Sequence, residues 1–221
     1  MAKKTQHGEA RRAQIAQAFL HVLAKRGYDG ASITEIAARA KLTPGLVHYH
    51  FKNKLEILVA AMRSLLAEHA ALLERELTRA GPDPLAQLAA FLEVHLGLGR
   101  HANPTALACW LQLSAEALRQ RQVRRELEAA LRAISARLVE IVQRGRASGA
   151  LTCDDPRAAA ASIVALIQGY FSLAAAARPL LPSGSAAACA TRMTEGLLGC
   201  DLPAPCPSAR TPPARPPRGR A

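Results

Sequence analysis

The sequence predicts an all-α protein. Three observations carry this. Ala and Leu dominate the middle of the chain, aromatic residues make up only 4% of its 221 residues, and apolar side chains recur at three- and four-residue spacing. Ala and Leu lose little conformational freedom in a helix, and that spacing gathers apolar groups on one helical face. No alternating Val/Ile/Thr run bounded by turn residues occurs, so no sheet is expected. Half of the chain is apolar, enough for a sizeable core.

A first helix is expected over about residues 10–26, with Ile15, Ala18, Phe19, Val22 and Leu23 on one face. Gly27 ends it, and Asp29-Gly30 reads as a turn. Ser32 and Glu35 have the spacing of a capping box, which opens a second helix. Ile33, Ile36, Ala37 and Ala40 give that helix its buried face. Lys41-Leu42 forms a tight turn. Thr43 suits an N-cap and Pro44 the first helical position, where its missing N–H costs nothing. The short third helix that follows carries Gly45, His48 and Tyr49 outward, while Leu46 and Val47 anchor it. Two short helices around a tight turn, braced by a packing helix, make a helix-turn-helix head. Gly45 allows close backbone approach to phosphate or base edges, and the helix start favours phosphate.

A long helix is expected from Asn53 to about Arg79, with Leu55, Leu58, Val59, Met62, Leu65, Leu66, Leu72 and Leu73 inward. Gly81-Pro82 and Pro84 break the chain. Further helices follow at about 84–99, after Asn103-Pro104 (carrying Trp110), at about 121–147 and from Asp155-Pro156 to about Ala177. The helix from Pro156 is apolar nearly all round, so burial on several sides is expected. A last helix spans about 184–198, and Pro and Arg then dominate. The organisation expected is a head over residues 1–54, a ligand-binding and dimerisation body over 55–200 and a disordered Pro/Arg-rich tail over 201–221.

Formal net charge is +12, and its distribution matters. Residues 1–54 hold ten Lys/Arg against three acids, and residues 201–221 hold four Arg against Asp201. The body between them is nearly neutral. A basic end suggests a polyanionic partner there. No secretory apolar segment opens the chain and no bilayer-spanning stretch is expected, so a cytoplasmic protein is expected. The five cysteines, Cys109, Cys153, Cys189, Cys200 and Cys206, form no CxxC pair and read as free thiols.

The run GYDGASITEIAARAKLTPGLVHYHFKNKLEIL, residues 27–58, resembles the N-terminal signature of TetR-family transcriptional regulators. The whole-chain plan of about nine helices is similar to that family too. The resemblance implies a homodimer that binds double-stranded operator DNA and senses a small-molecule effector. It implies that Ser32 and Thr34 lie near phosphate at the start of the second helix. Thr43, Pro44 and Gly45 enter the groove, and Tyr49 faces DNA. His50 and Phe51 fill the aromatic closing pair, with Phe51 in the core. Lys54 occupies the position of a lysine that touches phosphate. Lys41 stands where the family often has Gly, so it must accept the backbone twist of the turn. His48 stands where Tyr is commonest, so an imidazole replaces a hydroxyl.

In the body, Phe91, Trp110 and Tyr170 are the candidate effector-lining rings. The Trp110 region and the stretch Ile167-Gln168-Gly169-Tyr170 resemble the choline-pathway regulators of the family, without assigning an effector. Glu116 is expected on the surface and Arg119, Arg121, Arg124 and Arg125 on a solvated helix end. His48, His50, His69, His95, His101 and Cys109 lack ligand spacing, so no metal or other cofactor is expected. The chain shows no nucleophile–base pair, paired carboxylates or phosphate loop, so it does not read as an enzyme. The competing reading is a helical protein–protein or membrane-surface module. The first helix argues against it, because its apolar face is needed inside the head rather than in lipid.

Overall fold

The computed structural model describes residues 2–96, 104–182 and 184–204. His101, Cys206 and most of the expected Pro/Arg-rich tail lie outside the described residues.

Nine α-helices occur among the described residues. They are α1 (Ala2–Gly30), α2 (Ile33–Arg39), α3 (Pro44–His50), α4 (Lys54–Ala80), α5 (Pro84–Leu96), α6 (Pro104–Arg119), α7 (Arg121–Ala147), α8 (Pro156–Ala176) and α9 (Ser185–Leu198). Their starts follow local chemistry. The side chains of Ser32, Thr43, Asn53 and Asp155 each accept a hydrogen bond from a backbone N–H of the turn they open. Pro44 and Pro156 take the first helical position. The first helix overruns its expected end. Gly27 adopts φ 69°, ψ 178°, and residues Tyr28–Gly30 add a further turn beyond this break.

Two apolar cores hold the molecule together. The first joins Ile15, Phe19 and Leu23 of α1 to Ile36, Val47 and Phe51 of the head. It continues through Leu58 and Met62 of α4 to Cys109 and Leu113 of α6. Packing therefore runs without a seam across residue 54. The second core sits in the body, around Leu88, Phe91, Leu92, Leu138, Ile141, Ile163 and Ile167.

Two expectations about α8 need correction. By length and composition this 21-residue helix is apolar enough to cross a bilayer. It is also buried on one side only, through Ala159, Ala160, Ile163, Ile167 and Ala174. That side packs on α7, α6 and α9, as a core helix does. The other side, with Leu173 41% exposed, is open in the single chain. Next to it, α9 leaves Met193 57% and Leu197 45% exposed.

Candidate nucleic-acid interface and effector region

The α2 and α3 helices pack on each other. Ser32 Oγ accepts from the Glu35 N–H at 3.1 Å, fixing the start of α2 with Thr34 exposed on its first turn. The end of α2 closes on Lys41, whose φ is 55°. Lys41 N–H donates to Ala38 O at 3.1 Å and Leu42 N–H to Ala37 O at 2.9 Å, which is the Schellman pattern. Lysine thus carries the left-handed conformation that glycine usually supplies, as the family resemblance implied.

Thr43 Oγ1 then accepts from the Leu46 N–H at 3.3 Å. Val47 is fully buried and fixes the roll of α3 about its axis. Thr43, Pro44, Gly45 and His48 are consequently exposed, and Tyr49 is 80% exposed. A methyl at Gly45 would meet no atom within 4 Å, so the front of the helix is open. The Tyr49 ring meets the His50 ring edge-on at 5.1 Å. His50 is half-buried. Its carbonyl accepts from Arg12, whose guanidinium lies 4.0 Å above the Phe51 ring. Arg12 escaped sequence reasoning because it pairs with α3 from 38 residues away.

Of the ten residues expected at DNA, eight are exposed. His50 and Lys54 are half-buried. The Lys54 ammonium donates to the carbonyls of Tyr28 at 2.7 Å, Ala31 at 3.1 Å and Asp29 at 3.4 Å. It also lies 4.4 Å above the Tyr28 ring.

The body grips the head through α6 as well as α4. Cys109 Sγ lies 3.2 Å from Leu20 O. Burial pushes the Cys109 thiol up to about 11, so it stays a neutral thiol. Arg119 pairs with Asp29 at 3.6 Å. Glu116, expected on the surface, is only 6% exposed. Because α6 packs on α1, its carboxylate lies close enough to Tyr28 to raise that phenol further above its ordinary value, after burial and ahead of Asp29.

The three expected effector rings find different neighbours. Phe91 is fully buried and stacks on His95 with centroids 4.4 Å apart. Trp110 is half-buried, donates from Nε1 to Gln168 Oε1 at 2.9 Å and meets Phe171 edge-on at 6.4 Å. Tyr170, half-buried, packs against the second core. A cavity of about 390 Å³ opens elsewhere, between α4 and α7, lined by Leu66, His69, Leu73, Ala130 and Ile134 among others. Ion pairs between Arg63 and Glu126 and between Arg137 and Glu74 bridge its rim. None of Phe91, Trp110 and Tyr170 lines it.

Comparison with known proteins accounts for both parts. Residues 10–61 match the model of bacterial regulatory proteins of the tetR family, and residues 84–199 match that of the BetI-type transcriptional repressor C-terminal domain. The HTH-type transcriptional regulator BetI of Paraburkholderia phytofirmans is 28% identical over 163 residues, covering 74% of this chain and 80% of that protein. Its counterpart from Brucella anthropi is 28% identical over 183 residues, covering 74% and 92%. A transcriptional regulator from Saccharomonospora viridis, solved in complex with choline, superposes with TM-score 0.78 at 22% identity, covering 86% and 97%. A TetR-family regulator from Rhodococcus sp. gives TM-score 0.75 at 21% identity, covering 85% and 98%. At such identities these structures establish the fold. The family matches span the head and more than half of the chain. The protein belongs to the TetR family of bacterial transcriptional regulators, with a C-terminal body of the BetI type.

Proposed function

We propose that this DNA-binding regulator is a repressor that sits as a two-fold dimer on a pseudo-palindromic operator and is released by a small molecule bound in its body. The observation that carries the reading is the front of α3. It is short, fixed in roll by Val47 and lined with exposed Thr43, Pro44, Gly45, His48 and Tyr49. Ser32, Thr34 and Lys41 flank it at the phosphate level, and His50 backs Tyr49. One such helix reads few base pairs. Two heads related by two-fold symmetry read two half-sites, so the DNA mirrors that symmetry.

For the effector, the choline-bound S. viridis protein favours a small quaternary ammonium compound. Trp110, Tyr170 and Phe171 are the residue types that hold such a cation by their ring faces. Trp110 sits on α6, whose far end grips α1, so effector binding there has a direct path to the head. Tenfold weaker DNA binding requires about 1.4 kcal/mol of coupling, and operator DNA must weaken effector binding by the same factor.

Selection of bound sites from random DNA tests the reading. The expected product is an inverted repeat, and affinity should fall steeply with salt. Thr43→Ala and Tyr49→Ala should change the selected sequence, because base contacts specify. Binding that tolerates scrambling of one half-site rejects the dimeric reading. Choline titrated against Trp110 fluorescence, with and without operator, tests the effector. Equal affinity in the two cases excludes choline as the releasing ligand.

A further inference from the structure

We propose that Lys54 is a positioning residue: it holds the elbow at residues 27–32 that places α2 on DNA, and it does not itself touch phosphate. The proposal rests on the DNA-binding reading above. It departs from what resemblance alone assigns to this lysine.

The argument begins with proton supply. A lysine ammonium has three N–H donors and no acceptor. Here it faces three carbonyls, those of Tyr28, Ala31 and Asp29, at 2.7, 3.1 and 3.4 Å. The Tyr28 ring covers it at 4.4 Å. To reach a phosphate, the ammonium would have to leave carbonyls that would then lack a cation.

Those carbonyls stand where a cation is most useful. They belong to the last turn of α1 and the link to α2, where carbonyls have no intrahelical partner and the helix dipole is negative. The chain reverses here in few residues. Gly27 leaves the helix at φ 69°, Ala31 N–H returns to Tyr28 O at 3.2 Å, and Ser32 opens α2. One ammonium joining all three carbonyls fixes where the Ser32 hydroxyl and the first N–H groups of α2 stand.

The lysine itself is held by a rigid start of α4. Asn53 Oδ1 accepts from Glu56 N–H at 2.9 Å, and the Glu56 carboxylate accepts from Lys52 N–H at 3.0 Å. Lys54 is the first residue of that helix. It therefore ties the long body helix to the phosphate-facing end of α2. Lys41 and Lys52 are exposed and remain available to phosphate.

Lys54→Met keeps most of the aliphatic stem and removes the ammonium. Without DNA, amide hydrogen exchange over residues 31–36 should speed up by about tenfold or more, because charge-assisted hydrogen bonds are lost. Exchange in α7 serves as the unaffected reference. Unchanged exchange over 31–36 would overturn the proposal. With a duplex recovered from random-pool selection, affinity should fall while the slope of log K against log salt stays that of the parent. A slope shallower by about 0.9 would reveal a lost phosphate contact and reject the idea. Ser32→Ala should weaken binding of the parent, and weaken it less in the Lys54→Met background, since a displaced hydroxyl has less to lose. Additive losses would refute the positioning role. If the parent binds no duplex at all, the DNA-binding reading fails, and the exchange measurement still decides what Lys54 does to the elbow.

Discussion

His69 on α4 and His95 on α5 face each other through Nε2 atoms 3.1 Å apart. His95 Nδ1–H donates to Phe91 O at 2.8 Å, which leaves His95 Nε2 as the acceptor for the Nε2–H of His69. Burial lowers the pKa of His69. Burial first, then the neighbouring His69, lowers that of His95 to about 4, against the opposing pull of the Phe91 carbonyl. The folded pKa of His95 thus lies below the unfolded value of 6.5. Between these values the unfolded chain binds a proton that the folded chain refuses, so stability falls as pH drops from about 6.5 towards 4. The ceiling for this group is about 3 kcal/mol. Urea midpoints at about pH 7.5 and pH 5 should separate widely for the parent and less for His95→Gln. Equal separation for both proteins would show that other groups carry the acid sensitivity.

At the level of elements, signals confined to a few residues were legible in the sequence. Ser32, Thr43 and Asp155 cap helices where the sequence placed caps, because a cap is chemistry within one turn. The left-handed backbone at Lys41 was legible only through the family resemblance, which often has Gly at that position. What escaped depends on a distant partner. The burial of Glu116 and the last turn of α1 follow from α6 packing on that turn. The carbonyls around Lys54 lie some 25 residues away in sequence. For an effector the sequence offered only a set of candidate rings, since the space between helices depends on how their axes cross. The elbow at Gly27 offers a test. Its φ is +69°, and an added methyl would lie 3.4 Å from Gln112 Oε1 on α6. Gly81 has φ +78° with open space around it. Gly81→Ala should cost about 1–2 kcal/mol through backbone strain alone, and Gly27→Ala at least as much, measured by urea unfolding. A Gly27→Ala protein as stable as its parent would mean that the elbow is not held in this conformation.

As a single chain the molecule leaves one apolar face open. The outer side of α8 and the exposed Met193 and Leu197 of α9 form an apolar surface of the kind that four helices from two chains bury. Met193→Asp should yield monomers in sedimentation at concentrations where the parent is dimeric, and should weaken operator binding at the same concentrations. A dimeric Met193→Asp protein would place the seam elsewhere. The open face on α8 and α9 also has a cellular consequence. If that face pairs two chains, then where most chains are unpaired the concentration of paired readers follows the square of the chain concentration. Growth that doubles the cell volume without new synthesis would then lower the concentration of paired readers about fourfold. Gene dosage, and the dilution that accompanies growth, would then set a threshold for occupying DNA.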